Sequence, residues 1–206
     1  MVIAIDGPAG AGKSSVARAV ARELGYTYLD TGAMYRCVAL AAQNDGPPAQ
    51  VAERIAIEVG DRVLLDGRDV TEEIRSPAVS EAASRVAADP GVRAALVAKQ
   101  QALLAEGDWV AEGRDIALVV APDAAVKVFL TADPAERARR RATELGADLG
   151  QVMREQAVRD ERDRSGRRSI DKGAPDAIPL DTTGVSFEEV VAQVVTLAVE
   201  AREIGA

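Results

Sequence analysis

The sequence predicts an α/β fold, a five-stranded parallel sheet with helices on both faces, interrupted by an inserted subdomain. Three observations carry this. Short apolar runs alternate with longer segments of helical period, the signature of strand–helix–strand units. The first apolar run passes at once into a glycine-rich turn and then into a helix. Between about residues 45 and 105 the alternation gives way to a different pattern, which marks the insertion. The chain has 206 residues, 48% hydrophobic and 28% charged, enough for one core and a smaller appended element.

The elements follow in order. Val2 to Ile5 is continuously apolar and closed by Asp6-Gly7, as for a strand buried on both faces. Ser15 to Leu24 reads as a helix stopped by Gly25. Tyr26 to Leu29 is a second strand. Met34 to Ala42 is a helix, broken by Asn44-Asp45-Gly46-Pro47-Pro48. Within the insertion, Arg62 to Val70 reads as two short strands around the turn Asp66-Gly67. Trp109 to Ala111 and Val126 to Leu130 are further strands, and Pro134 opens a helix to about Leu145. Ala177 to Leu180 is the fifth strand, and Pro179 assigns it to an edge or an end. Phe187 to Arg202 is a closing amphipathic helix. The core is thus expected at about 1–44 and 106–206.

Composition excludes much chemistry. There is no histidine, which removes histidine bases, the serine and cysteine nucleophiles that need them, and histidine-ligated metals. Cys37 is the one cysteine, so an internal disulfide and a cysteine metal cluster are excluded. The net charge of −8 argues against a protein that coats nucleic acid or an anionic membrane. No run of ~18 apolar residues is present. The segment Met1 to Asp6 lacks a basic n-region, so no signal peptide is expected and a cytoplasmic location is.

Gly7-Pro8-Ala9-Gly10-Ala11-Gly12-Lys13-Ser14 fits G-x-x-x-x-G-K-[ST] without a mismatch. A buried strand precedes it and a helix follows, as the mechanism requires. The glycines allow a tight turn whose N–H groups surround phosphate oxygens, and the helix start adds its positive dipole end. Lys13 supplies a point charge for the β- and γ-phosphates, and Ser14 a hydroxyl ligand for Mg²⁺. Gly7 to Ser15 is therefore the candidate ATP-binding segment. Asp6 reads equally as a supporting group or a strand-end cap. No Asn-Lys-x-Asp element is present, which disfavours a GTPase.

Three arginine-bearing segments follow. Asp30-Thr31-Gly32-Ala33-Met34-Tyr35-Arg36 sits after the second strand, where the carboxyl end of a parallel strand borders a ligand crevice. Arg36 alone reads as a surface arginine on a helix. Gly113-Arg114-Asp115 ends the third strand at the same kind of edge, and together Arg36 and Arg114 suggest a two-phosphate pocket. Arg159 to Arg168 holds five arginines, and Arg159 and Asp163 are placed to pair on one helix face. It reads as part of a lid over about 148–172, against the alternative of a solvated helix that Asp160, Glu161 and Asp163 favour.

These segments resemble the bacterial cytidylate kinases of the nucleoside monophosphate kinase group. The resemblance rests on Ile5 to Ser14 and Leu29 to Arg36. It is extended by Asp69-Val70-Thr71, Ile74-Arg75, Ala83-Ser84, Val86-Ala87, Pro90, Val92-Arg93, Gly113 to Ile116 and Pro122-Asp123-Ala124. Arg137-Ala138, Arg140-Arg141, Arg159-Asp160, Asp163, Asp176-Ala177 and Asp181 complete it in family order over nearly the whole chain. It implies transfer of the γ-phosphoryl of ATP to CMP or dCMP with Mg²⁺, a step of pyrimidine nucleotide metabolism. It implies Lys13, Arg114 and Arg159 as catalytic residues. It implies Thr31, Arg36, Ser84, Arg93, Arg114, Asp115, Arg159 and Asp163 as the CMP site, and the insertion as the domain that binds the acceptor. Ser84, Arg93 and Asp115 would read cytosine, Arg36, Arg114 and Arg159 would hold phosphate, and Asp163 would meet the ribose. A monomer acting on small molecules is expected, with no nucleic-acid polymer and no membrane.

Cytosine offers two acceptors and an exocyclic amine, so its reader needs an acidic acceptor such as Asp115 and donors such as Arg93 and Ser84. The chain departs from the family at Ala117-Leu118, where a glycine and a threonine are usual. It also carries its lid arginine, Arg167, one residue late, and Ser169 to Lys172 in place of a Pro-Leu. The alternatives are another small phosphate-loop kinase and a nucleotide-dependent binding module.

Overall fold

The computed structural model describes residues 1–60, 62–165 and 173–204. In chain order the strands and helices are β1 (Val2–Asp6), α1 (Lys13–Leu24), β2 (Thr27–Asp30), α2 (Thr31–Ala41), α3 (Pro48–Arg54), β3 (Ile57–Val59), β4 (Val63–Leu65) and β5 (Arg68–Asp69). Next come α4 (Pro77–Val86), α5 (Pro90–Leu104), β6 (Trp109–Gly113), β7 (Val126–Thr131), α6 (Pro134–Leu145), α7 (Leu149–Ser165), β8 (Ile178–Asp181) and α8 (Phe187–Ile204). A five-residue π-helical turn, Ile116–Val120, follows β6. The chain packs as two compact units, Met1–Thr27 with Asp108–Ala206, and Tyr28–Gly107.

The expected parallel sheet is present, with strand order β2-β6-β1-β7-β8. β1 is central: Asp6 is level with Gly113 of β6 and Phe129 of β7. Covered on both faces, Ile3, Ala4 and Ile5 have no solvent exposure, which is why the run carries no polar alternation. β8 lies at the edge, where Pro179 removes no interior ladder bond. α1 and α8 pack against each other, α1 on β6 and α8 on β7. Among the described residues, no helix is long and apolar enough to cross a membrane.

Helix starts are set by caps. Asp30 accepts from Ala33 N–H at 2.8 Å, so α2 begins at Thr31 rather than at Met34 as its apolar pattern suggests. Asp133 caps α6, with Pro134 in its first turn and Gly146 closing it at φ +61°. Ser186 and Glu189 form a reciprocal capping box for α8.

In the second unit, α2 packs on α4 and α3 on α5. β4 and β5 form the expected hairpin, with Asp66 at φ +49° and Gly67 at φ +79°, the mirror-image turn that suits strand twist. β3 adds antiparallel to β4 as a third strand, which the short run 57–59 does not announce. α4 and α5 do announce themselves, through Ser76-Pro77 and Asp89-Pro90, each a capping residue before a first-turn proline.

Gly7 is the tightest point of the sheet edge. Its φ is +149°, and a Cβ there would lie 2.0 Å from the Leu130 carbonyl oxygen. Gly12, at φ +88°, faces open space. We expect Gly7→Ala to cost more than about 3 kcal/mol and Gly12→Ala only about 1–2 kcal/mol, read from urea midpoints. Equal losses would contradict the close approach to Leu130.

Candidate active site

The loop between β1 and α1 leaves its helix start free. Gly12 caps α1 in a left-handed conformation without a side-chain cap, so the first N–H groups of the helix are open to an anion. Lys13 is 6% exposed, and its Nζ donates to the Pro8 carbonyl at 2.8 Å. Burial, aided by repulsion from Arg114, brings its pKa down to about 7, while Glu112, Asp6 and Asp163 pull it back up. Ser14 Oγ donates to Glu112 Oε1 at 2.5 Å. Glu112 lies in β6 beside Ile5 and is 5% exposed. It is a site residue that sequence reasoning does not find, because its partner is 98 positions away.

Asp6 resolves as a supporting group. Its two carboxylate oxygens accept from Ile116 N–H and Ala117 N–H, both at 2.8 Å. It thereby ties the end of β1 to the turn that follows Arg114 and Asp115, where the unusual Ala117-Leu118 stands. Ala117 is buried and Leu118 is exposed. Burial pushes the Asp6 pKa from 3.8 up to about 6, against the two backbone donors, with Asp115 adding repulsion.

Arg114 Nε donates to Asp163 Oδ2 at 2.9 Å, and Asp163 is buried. The acids of α7 are thus not all solvated. Desolvation opposes the guanidinium charge, but Asp163, Glu112 and Asp160 raise its pKa above its ordinary value. The first unit therefore brings Lys13, Ser14, Glu112, Arg114 and Asp163 together, with half-buried Arg159 on the same helix as Asp163. Asp115 directly follows Arg114 and is half-buried. A buried Arg137–Asp160 ion pair at 2.8 Å lies behind the loop, and sequence reasoning gives neither residue this role. Gly166 to Lys172, including Arg167, lie outside the described residues.

The remaining sequence-predicted residues belong to the second unit. Thr31 is buried in the first turn of α2. Arg36, one turn on, donates to Asp30 Oδ2 at 2.8 Å. Ser84 is half-buried on α4 and Arg93 half-buried on α5.

A magnesium ion takes hard oxygen ligands, commonly one or two from protein and the rest from phosphate and water. The Ser14 hydroxyl and the Glu112 carboxylate supply such donors. Among the described residues no three His, Cys, Asp or Glu side chains gather into a metal site of their own. The donor set fits an ion carried in with phosphate.

A glycine loop after the central strand, a buried lysine and a hydroxyl paired with a carboxylate place the chain among phosphate-loop proteins of the kinase kind. A family profile described as cytidylate kinase matches residues 3–200. The cytidylate kinase of Carboxydothermus hydrogenoformans is 47% identical over 96% of each chain. That of Pelotomaculum thermopropionicum is 48% identical over 94% of this chain and 93% of the relative. The chain belongs to the cytidylate kinase family. Among solved structures, an uncharacterised protein of Eubacterium ventriosum matches at a TM-score of 0.54 and 14% identity, over 95% of this chain and 96% of that one. That likeness supports the fold alone.

Asp6 gives a signed pH dependence. Between its unfolded value of 3.8 and its folded value of about 6, the folded protein holds the proton more tightly. Its contribution to stability is complete below pH 3.8 and is lost as pH rises through 6. Relative to Asp6→Asn, the wild type should lose about 2 kcal/mol between pH 4 and pH 7. Denaturant midpoints of both proteins across that range test this, and parallel curves would refute it.

Proposed function

We propose that this chain transfers the γ-phosphoryl of ATP to CMP or dCMP, releasing ADP and CDP or dCDP. The observation that supports this most directly is the cluster of Lys13, Ser14, Glu112 and Arg114 at the end of the central strand. Phosphoryl transfer asks for positioning and cations more than for a strong base, which suits a chain without histidine. The loop N–H groups and Lys13 hold the β- and γ-phosphates, with Lys13 exchanging the Pro8 carbonyl for phosphate. The Ser14 hydroxyl, with the Glu112 carboxylate beside it, would hold Mg²⁺, which would supply neutralisation of charge on the transferred group. Arg36, Arg114 and Arg159 bind the acceptor phosphate and the charge that develops during transfer. Asp163 holds Arg114 through Nε while Nη1 makes only a long bond of 3.5 Å to the Gly113 carbonyl, so the Nη side turns to phosphate, and Asp163 itself reaches the ribose. Thr31 orients the acceptor at the start of α2.

Base choice rests on Ser84, Arg93 and Asp115. Asp115 accepts from the exocyclic amine of cytosine, and Arg93 and Ser84 donate to the ring nitrogen and carbonyl. Uracil presents an oxygen where the amine stood, and a buried acceptor facing an acceptor is costly. The same reading has the protein working as a cytoplasmic monomer on small nucleotides.

ADP formation with CMP, dCMP, UMP, AMP and GMP, beside a control without acceptor, tests the proposal. Turnover with CMP and dCMP alone is expected, and ADP only at the acceptor-free rate would replace the kinase reading with a nucleotide-dependent binding module. Lys13→Ala should lower kcat on the order of 10³-fold. Asp115→Ala should shrink the preference for CMP over UMP by about 10–100-fold while sparing ATP binding, measured as the ratio of kcat/KM values. An unchanged ratio would refute the cytosine reader.

A further inference from the structure

We propose that the buried pair Arg137–Asp160 positions the phosphate loop for its nucleotide, acting through the carbonyl of Ala9. The inference rests on the reading of that loop as the ATP site.

All three sides of the Arg137 guanidinium are committed. Nε donates to the Ala132 carbonyl at 3.2 Å, Nη1 to the Ala9 carbonyl at 2.7 Å, and Nη2 to Asp160 Oδ2 at 2.8 Å. Both side chains of the pair are nearly inaccessible, at 6% and 7% exposed. The α6 backbone itself abuts the loop. A Cβ on Gly10 would sit 3.1 Å from the Arg137 carbonyl oxygen and 3.2 Å from the Arg137 Cβ. Gln156 of α7 closes the same side, with its Nε2 donating to the Pro134 carbonyl at 3.1 Å.

The geometry matters because of how such a loop binds anions. Its N–H groups must converge on the phosphates, so its carbonyls must turn away and find donors elsewhere. Two buried cations meet this need at consecutive residues. Lys13 holds the Pro8 carbonyl and Arg137 the Ala9 carbonyl. Lys13 is the cation that must leave for phosphate. Arg137, with every side spent, is the one that stays.

Asp160 is the counterion that makes this possible. Its Oδ1 is buried and has no hydrogen-bond partner among the described residues, and its Oδ2 accepts from Arg137. A buried pair with an unsatisfied oxygen is a poor device for stability, since an apolar pair of similar volume does as well or better. Its retention is explained by what the arginine holds. Asp160 also bears electrostatically on Arg114, so removing it touches both ends of the cluster.

Three variants separate positioning from structure. Asp160→Asn removes the counter-charge, and we expect ATP to bind at least 10-fold more weakly by calorimetry, with a lower Tm. Arg137→Lys keeps a charge for Asp160 but cannot reproduce three fixed donors. We expect a Tm within a few degrees of wild type and the same weakened ATP binding. In the double variant Arg137→Met with Asp160→Leu, stability should return while ATP affinity does not. The KM for CMP should stay within 2-fold in Arg137→Lys, which leaves the Asp160 charge on Arg114 in place. ATP affinity within 2-fold of wild type in either stable variant would overturn the proposal, as would a parallel rise in both KM values in Arg137→Lys. Wild-type protein that binds no ATP would instead refute the reading of the loop on which the proposal rests.

Discussion

Charge taken out of water at the carboxyl edge of a parallel sheet must be balanced where it lies, and the nucleotide-binding unit is organised around that requirement. Asp6, Lys13, Glu112, Arg114, Arg137, Asp160 and Asp163 all lose most of their solvent there. Bulk water would cover such groups cheaply, whereas a dry site leaves each dependent on a named partner. Asp6 takes two backbone N–H groups, Glu112 a hydroxyl, and Asp160 and Asp163 one arginine each. The protein carries a net charge of −8, so attraction for a polyphosphate cannot come from its overall field. It has to be made locally, from a few cations held against their own desolvation.

α7 is the element that makes this arrangement economical. Asp160 and Asp163 stand three residues apart on one face of the helix, so one rigid element presents two carboxylates. One fixes Arg137 behind the glycine loop, and the other fixes Arg114 at the end of β6. The loop and the arginine are built from distant parts of the chain, yet they share a helix as their electrostatic support. A change of charge at Asp160 therefore acts directly on Arg137 and through the field on Arg114, and one at Asp163 acts directly on Arg114 and through the field on Lys13.

What was legible in the sequence is what is encoded within a few residues. The strand–loop–helix around Gly7 to Ser14, the Asp66-Gly67 hairpin, the edge position of Pro179 and the stop at Gly25 all follow from local rules. The starts of α4 and α5 were equally available in Ser76-Pro77 and Asp89-Pro90. The rest depends on partners far apart in sequence. Ser14 meets Glu112 98 positions on, and Asp6 meets Ile116 and Ala117 after 110 and 111. In sequence, the acids between Arg159 and Arg164 favour a solvated helix. The burial of Asp160 and Asp163 depends on arginines contributed by α6 and by the end of β6, which no local pattern displays. The π-helical turn is hidden for the same reason, since the carboxylate that caps it belongs to β1.

The depressed Lys13 pKa fits this picture better than it fits a basic role. An amine that titrates near 7 resembles a general base, yet no proton needs to leave a strongly acidic group when a phosphate oxygen is the nucleophile. The depression reflects instead the cost of holding a cation dry beside Arg114, with the Pro8 carbonyl accepting its hydrogen bond. A polyphosphate reverses that cost, because its negative charge favours the ammonium form and offsets the repulsion between the two cations. The site thus stores unfavourable electrostatics in its own cations, and ligand charge relieves them. Positive charge buried in advance, supported by carboxylates from one helix, is how an acidic protein without histidine can be built to hold and move a phosphoryl group.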